Sequence, residues 1–311
     1  MSDMFGDRLK AAVERTGAPI CVGIDPIPEL IPAAIRAKLG RTSTGHEADL
    51  DAVFDFTLAV LRTVAGHVPI VKFQSAYFER FLWDGVEAYY SLVQEARDLG
   101  LLVIGDIKRG DIGTTATAYA QAHLTGPPGP DPDDDEVAFP DAITVNPMLG
   151  LDTLEPFLEP ARTLGKGLFV LVRTSNPGSA DLQDVKLEDG RTWSEMLADR
   201  LAVIAAREGL VGSGGFSNVG AVVGATQPHI MASLRKRLPQ SWFLLPGYGA
   251  QGATAEMTRA AFVDGRGAIV SASRSILYAH RDPKYAGLSD WKECTLKATL
   301  DMKAELAAVL S

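Results

Sequence analysis

Short, continuously apolar runs alternate along this chain with longer segments that carry apolar residues at helical spacing. Such runs indicate strands that are buried on both faces of a parallel sheet. Eight strands are predicted, over residues 20–24, 69–74, 101–104, 142–146, 167–174, 219–225, 242–245 and 267–271. The helical spacing predicts helices over residues 5–16, 48–65, 85–99, 112–124, 151–162, 193–208, 228–238, 254–262 and 291–310.

The order of these elements predicts the fold. One extra N-terminal helix is followed by eight strand–helix units, and eight units in 311 residues favour a closed (β/α)₈ barrel, the TIM barrel, over an open doubly wound sheet. We therefore expect an α/β protein with a single domain over residues 1–311. Active sites of such barrels lie at the C-terminal ends of the strands. Seven polar residues fall at or just past predicted strand ends: Asp25, Lys72, Asp106, Lys108, Ser175, Gln251 and Arg274.

One segment interrupts the alternation. Residues 125–140, TGPPGPDPDDDEVAFP, combine Pro, Gly and acidic residues. This composition favours a solvated loop over a helix or a strand. We expect an exposed insertion there and assign it no chemistry.

Composition limits the partners and the compartment. The net charge of −9 repels polyanions, which argues against a nucleic-acid partner but leaves room for a local pocket for one phosphate. Cys21 and Cys294 lie far apart and match no metal or redox spacing, so a reducing compartment is expected. The chain shows neither a signal peptide nor an apolar run of membrane-spanning length, so we expect a cytoplasmic protein without a membrane partner.

The strand predicted at 101–104 ends in three charges within the sequence VIGDIKRGDIGTT: Asp106, Lys108 and Asp111. Because side chains on a strand alternate faces, Asp106 and Lys108 project to the same side. Two carboxylates around one ammonium would keep Lys108 protonated. That state suits a proton donor, whereas a Schiff-base lysine needs its charge disfavoured.

Two plainer interpretations of these charges stay open. Asp111 can cap the following helix, because Asp is favoured at that position and suits the positive end of the helix dipole. Asp106 and Lys108 can form a structural ion pair. Three charges beside apolar walls are costly unless they pair or act on a ligand, so their combination favours chemistry.

A second candidate site follows strands seven and eight. Residues 245–252, LPGYGAQG, form a Gly-rich loop that opens a helix, and residues 271–275, SASRS, close the last strand. Barrels often bind phosphate there through backbone N–H groups, and Arg274 adds a planar charged group suited to bidentate contact. The alternative is a tight turn with Arg274 paired to a surface acid. Together, the two sites predict proton chemistry on a phosphorylated small molecule.

At these residues the chain resembles the orotidine 5′-phosphate decarboxylase family. Residues 106–112, DIKRGDI, match the family signature Asp-x-Lys-x-x-Asp. Five other fragments match in the same order: VGIDP, VKFQ, RTSNPG, LPGYGAQG and SASRSI. The chain length and the acidic insertion are similar to the longer bacterial branch of the family.

The resemblance implies conversion of orotidine 5′-phosphate to uridine 5′-phosphate and CO₂ in de novo pyrimidine biosynthesis. Asp106, Lys108 and Asp111 would be catalytic, with Lys108 protonating C6 of the pyrimidine after CO₂ leaves. Asp25 and Lys72 would bind the ribose hydroxyls. The other substrate-binding residues would be Ser175 at the base, and Pro246, Gln251 and Arg274 at the phosphate.

The resemblance also implies an assembly. Asp111, Ile112 and Thr115 would reach into the site of a partner subunit, so the protein would be an obligate homodimer with shared active sites. The family uses neither a metal nor an organic cofactor, and no motif in this chain calls for a metal.

Two other functions remain open. A related barrel, a hexulose-phosphate synthase or ketogulonate-phosphate decarboxylase, has the same charged array but uses Mg²⁺ to stabilise an enediolate. Here the second strand presents Lys72, a cation where a metal ligand would be wanted. A non-catalytic nucleotide-binding barrel is the second alternative, although pure binding gains nothing from a costly charge cluster.

Overall fold

The computed structural model describes residues 4–38, 45–127 and 137–310. Eight parallel strands pair in sequence order, and the first also pairs with the eighth, so the sheet closes into a barrel. The predicted (β/α)₈ barrel is therefore confirmed. The strands are β1 (Ile20–Ile24), β2 (Ile70–Gln74), β3 (Leu102–Arg109), β4 (Ala142–Val145), β5 (Gly167–Arg173), β6 (Ser217–Val223), β7 (Ser241–Leu245) and β8 (Ala268–Ala272).

Two apolar layers enclose each strand, because its side chains alternate between the barrel interior and the surrounding helices. In β1, Cys21 packs in the interior, whereas Ile20 and Val22 pack outward. All five residues of this strand are buried, as expected for a strand covered on both faces. Continuous apolar runs are therefore what this architecture requires.

The extra N-terminal helix, α1 (Phe5–Thr16), closes one end of the barrel. The ring of Phe5 meets the ring of Phe169 edge-on, with 5.9 Å between the centroids. Gly167 permits this approach, because a Cβ there would lie 2.3 Å from the Phe5 ring. Helix α1 thus closes the barrel at the end where β5 begins. The open mouth of the barrel therefore lies at the other end, where the strands have their C-termini.

All nine predicted helices are present, two of them (5–16 and 291–310) with the predicted bounds and seven with shifted ones. Four described helices of four to six residues were not predicted, because such lengths show no periodicity. In the region predicted at 254–262, only four residues are α-helical before a 3₁₀ turn, Arg259–Ala261. The helices after α1 are α2 (Ala33–Lys38), α3 (His46–Val64), α4 (Ala76–Glu79), α5 (Leu82–Asp98), α6 (Gly113–Ala120), α7 (Glu155–Thr163), α8 (Ala180–Gln183), α9 (Trp193–Ala205), α10 (Pro228–Arg237), α11 (Ala255–Thr258), α12 (Arg274–Leu277) and α13 (Trp291–Leu310).

The insertion predicted at 125–140 falls mostly on residues 128–136, which lie outside the described residues. Among the described helices, none is long and apolar enough to cross a membrane.

One strand differs from its prediction in a way that matters for the site. The strand predicted at 101–104 continues to Arg109, so Asp106 and Lys108 lie within β3 rather than after it. The pairing of β3 with β4 shifts register between Gly105 and Arg109. The prediction was wrong because it stopped the strand at its first charge, whereas these charges find partners on neighbouring strands.

Candidate active site

A cavity of about 460 Å³ opens at the C-terminal ends of the strands. It collects side chains from widely separated parts of the sequence, as the closed barrel requires. Seven of the predicted site residues line it, namely Asp25, Lys72, Asp106, Lys108, Ser175, Pro246 and Gln251. The other four, Asp111, Ile112, Thr115 and Arg274, are not among its lining residues.

Four side chains of alternating charge cross the floor of this cavity. Lys72 Nζ lies 2.6 Å from Asp106 Oδ2 and 3.9 Å from Asp25 Oδ1. Lys108 Nζ lies 2.6 Å from the other oxygen of Asp106, Oδ1. The register of β2 on β3 aligns Lys72 with Ile104 and Gln74 with Asp106, which brings the side chains together across the strands. We refer to Asp25, Lys72, Asp106 and Lys108 as the charge array.

Asp106 is the centre of this array. Besides the two ammonium groups, Gln74 Nε2 donates to its Oδ2 at 3.1 Å and the Thr144 hydroxyl donates to its Oδ1 at 2.8 Å. Burial opposes ionisation of Asp106, but the charges of Lys72 and Lys108 outweigh burial and hold its pKa well below the usual range. Asp106 is therefore a permanent carboxylate at neutral pH.

Lys72 is the ammonium that stands between two carboxylates. Burial alone would lower its pKa, but Asp106 and Asp25 raise it above the ordinary value. The sequence predicted that Lys108 would stand between two carboxylates, Asp106 and Asp111. Within the chain this prediction is wrong. Among the described residues, Lys108 forms an ion pair only with Asp106, and its side chain is 44% exposed.

Asp111 does not pair with Lys108 within the chain, and among the described residues it forms no ion pair. Its Oδ1 accepts a hydrogen bond from its neighbour, the N–H of Ile112, at 2.8 Å. The chain turns away after β3 because Gly110 packs against the carbonyl of Asn146, where a Cβ would lie 2.4 Å from that oxygen. The helix-cap alternative is also not observed, because Ile112, not Asp111, precedes α6.

The backbone of Lys108 is in the left-handed region, with a φ of 47°. A non-glycine residue in this region is uncommon and costs free energy unless its surroundings hold it. Arg109 contributes, because its guanidinium donates to the carbonyl of Ile107 at 2.9 Å and pairs with Glu79 at 2.5 Å. Nothing in the sequence predicts a left-handed backbone at Lys108.

The Asp25 end of the array is held by a tyrosine that the sequence analysis missed. The hydroxyl of Tyr278 donates to the carbonyl of Asp25 at 3.2 Å and accepts from the N–H of Ile27 at 2.6 Å. The carboxylate atom Asp25 Oδ1 is buried and faces Lys72 at 3.9 Å, but it accepts no hydrogen bond from the described residues. An acceptor without a donor beside the cavity is suited to a ligand hydroxyl.

The Gly-rich loop lies on another side of the mouth. Gly247 and Gly249 have φ values of 107° and 67°, which other residues rarely adopt. A Cβ on Gly247 would lie 3.0 Å from Gln251 Oε1, so the loop folds closely over Gln251. Arg274 begins α12, is exposed, and has no ion-pair partner among the described residues. The alternative of a surface salt bridge for Arg274 therefore finds no support.

The loop after β5 carries Ser175, and contacts of Arg173, the last residue of β5, hold it in place. Arg173 is buried and binds both oxygens of Asp184 at 2.8 Å. It also donates to the carbonyl of Thr174 and to the hydroxyl of Ser179. This fork-to-fork contact fixes both ends of the loop, because bidentate pairs restrict geometry as well as adding energy.

Several lining residues were missed by sequence reasoning: Gln74, Tyr77, Thr144, Leu171, Thr174, Asn176, Val222 and Leu244. Gln74 ends the strand predicted at 69–74, so its position was an available signal, whereas Thr144 lies in the middle of the strand predicted at 142–146 and gave none. Among the described residues, no group of three or more His, Cys, Asp or Glu side chains is placed to hold a metal ion. Within the array, Lys72 lies between the carboxylates that could otherwise share a cation.

Comparisons with known proteins agree on one family. Residues 18–288 match the model of the orotidine 5′-phosphate decarboxylase / HUMPS family. An orotidine 5′-phosphate decarboxylase of Rhodopirellula baltica is 40% identical over 306 residues, covering 97% of this chain and 98% of the relative. One of Clostridium novyi is 37% identical over 301 residues, covering 96% of this chain and 97% of the relative. The solved structure of Leishmania donovani OMP decarboxylase superposes with a TM-score of 0.73 at 29% identity, covering 99% of each chain.

The geometry predicts that Asp106→Asn destabilises the protein. The substitution removes the carboxylate from two ammonium groups and points an amide at one of them, so the free energy of unfolding should fall by about 3 kcal/mol or more. Chemical denaturation at fixed protein concentration measures this loss. Asp55→Asn is the matched control, and because Asp55 is exposed on α3 and makes no ion pair among the described residues, its change should stay within about 0.5 kcal/mol.

The difference in unfolding free energy between wild type and Asp106→Asn should also depend on pH. Because the folded pKa of Asp106 is depressed, its contribution is present above the unfolded pKa and is lost as pH falls through the folded pKa. The difference between wild type and Asp106→Asn should therefore shrink below about pH 4, the ordinary Asp value. Equal losses in Asp106→Asn and Asp55→Asn would contradict the central place of Asp106.

Proposed function

The chain belongs to the orotidine 5′-phosphate decarboxylase / HUMPS family, and from that premise we infer that it converts orotidine 5′-phosphate to uridine 5′-phosphate and CO₂. The enzyme is a carbon–carbon lyase of pyrimidine biosynthesis. The observation that carries this function is the charge array, in which one buried carboxylate holds two ammonium groups at 2.6 Å each.

We propose that Lys108 acts on C6 of the pyrimidine. When CO₂ leaves, an electron pair remains in an sp² orbital at C6, which the ring π system cannot delocalise. A fixed ammonium stabilises that charge as it develops and then donates its proton to C6. Lys108 suits this role because Asp106 orients its Nζ and its side chain extends into the open cavity.

We assign the other residues to the three remaining parts of the substrate: the ribose, the base and the phosphate. Asp25 and Lys72 bind the ribose hydroxyls, an assignment supported by the buried Asp25 Oδ1, which accepts no hydrogen bond from the described residues. Ser175 contacts the base from the loop that Arg173 fixes. Pro246 lines the pocket, and Gln251 and Arg274 bind the phosphate, a role supported by the exposed guanidinium of Arg274, which has no ion-pair partner among the described residues. Binding energy from the remote phosphate can then align the ring at Lys108.

We propose a homodimer with shared active sites. Asp111, Ile112 and Thr115 follow β3 closely in the chain, yet none of them is among the residues that line the cavity of their own subunit. Ile112 is 62% exposed, and Met148, on the neighbouring loop after β4, is 63% exposed. A partner subunit that covers this apolar surface would receive Asp111, Ile112 and Thr115 at its own site, where Asp111 would complete the array.

Further proposals concern the chain as a whole. We propose a single barrel domain over residues 1–311, supported by strands that span 20–272 in one closed sheet. A cytoplasmic location is supported by Cys21 and Cys294, which are both buried free thiols. We propose catalysis without a metal or organic cofactor, since Lys108 itself supplies both the charge and the proton.

The first test is the ultraviolet assay of orotidine 5′-phosphate consumption in the presence of EDTA. We expect full activity after chelation, because the array stabilises the developing charge with an ammonium rather than a metal ion. Activity that disappears with EDTA and returns with Mg²⁺ would instead favour a metal-dependent sugar-phosphate enzyme of the same family. A protein that binds the nucleotide without consuming it would be a non-catalytic barrel.

The second test concerns the shared site. Lys108→Ala and Asp111→Ala should each be inactive alone, but mixed subunits form heterodimers in which one site has both residues intact. Random exchange makes half of the dimers mixed, so about one quarter of wild-type activity should return. Mixing each variant with itself is the control. If one variant carries an affinity tag and pulls down the untagged other, the mixture contains heterodimers, and an inactive mixture would then remove the shared-site proposal.

A further inference from the structure

One buried hydroxyl in the candidate active site, that of Thr144, bonds both Asp106 and the backbone of Lys108. Thr144 lies on β4 and is 1% exposed, with its side chain at the wall of the cavity. Its Oγ1 accepts the backbone N–H of Lys108 at 3.0 Å and donates to Asp106 Oδ1 at 2.8 Å. Lys108 Nζ binds the same oxygen at 2.6 Å. These bonds close a ring that contains the carboxylate, the hydroxyl, and both the backbone and the side chain of Lys108.

This ring bears on a strained residue. With its φ of 47°, Lys108 occupies a backbone region that residues with a Cβ enter only when their surroundings hold them. Arg109 bonds the carbonyl of Ile107, and the Arg109 carbonyl accepts the N–H of Asn146 at 2.8 Å, so the backbone is held on either side. The bond from the Lys108 amide itself goes to Thr144.

The hydroxyl also fixes which oxygen Asp106 offers to each lysine. Oδ2 receives Lys72 and Gln74, whereas Oδ1 receives Lys108 and Thr144. Each oxygen therefore accepts one ammonium and one neutral donor, which prevents the carboxylate from rotating toward either lysine. A hydroxyl is required at Thr144, because that position needs a donor and an acceptor on a single small group.

We propose that Thr144 is a positioning residue for proton delivery by Lys108. Its hydroxyl holds the left-handed backbone of Lys108 against the carboxylate that orients Nζ, so that the ammonium is aimed before substrate arrives. The proposal rests on the proposed function for its kinetic consequence. Its structural consequence, a fixed Lys108 backbone, stands independently of which reaction the site performs.

Thr144→Val is the decisive variant, because valine keeps the shape of threonine and removes the hydroxyl. Preorganisation acts on the transition state, so kcat should fall by about 10- to 100-fold while the KM for orotidine 5′-phosphate and inhibition by uridine 5′-phosphate change less than about threefold. Thr144→Ser restores the hydroxyl and should recover most of the lost kcat. Thr57→Val is the matched control, since Thr57 is equally buried and its hydroxyl has no partner.

A second readout does not depend on activity. Hydrogen exchange resolved at the Lys108 amide should be slow in wild type and in Thr144→Ser, and faster in Thr144→Val. If Thr144→Val does not fold, Thr144→Ala tests the same loss with a smaller side chain. Unfolding measurements on each variant identify the folded ones.

Three results would overturn the proposal. They are an unchanged kcat in folded Thr144→Val, a serine variant no better than valine, and an unchanged exchange rate at the Lys108 amide. An inactive wild type with the expected exchange pattern would instead remove the proposed function and leave the positioning of Lys108 intact.

Discussion

The carboxylate of Asp106, buried between Lys72 and Lys108, is the constraint on which the rest of the site depends. Placing three charges beside apolar walls carries a desolvation cost that only close pairing and hydrogen bonding can offset. The barrel meets this requirement by geometry, since β2, β3 and β4 each bring a donor to the same carboxylate. The array is therefore fixed by the pairing of neighbouring strands.

The chemistry follows from that arrangement. Decarboxylation at C6 creates charge at one point, and only interactions that strengthen in the transition state accelerate the step. An ammonium already oriented by Asp106 needs no reorganisation when the charge appears. The strained backbone of Lys108 fits the same logic, because strain at a functional residue is stable only where its neighbours determine its position.

Much of this architecture could be predicted from the sequence. A strand covered on both faces must be continuously apolar, so the eight strands are visible as runs, and parallel strands that alternate with helices lead to the barrel. The two-residue spacing of Asp106 and Lys108 predicted that both side chains lie on the same face of the strand, because strand periodicity depends only on local sequence. The 2.6 Å contact between these side chains confirms it.

The rest depended on contacts between distant segments. Lys72, rather than Lys108, stands between two carboxylates because β1, β2 and β3 are neighbours, and sequence spacing cannot rank Asp25 against Asp111 as partners. The left-handed Lys108 and its bond to Thr144 arise from a register shift between β3 and β4, which leaves no trace in composition.

The most direct measurement is a crystal structure of the protein with uridine 5′-phosphate bound. The account predicts that Lys108 Nζ lies within about 3.5 Å of C6, the separation of groups poised to react. Asp25 and Lys72 should contact the ribose, and Arg274 should contact the phosphate. A complex in which Lys108 points into bulk solvent, or in which C6 lies on the far side of the cavity from the charge array, would contradict the account.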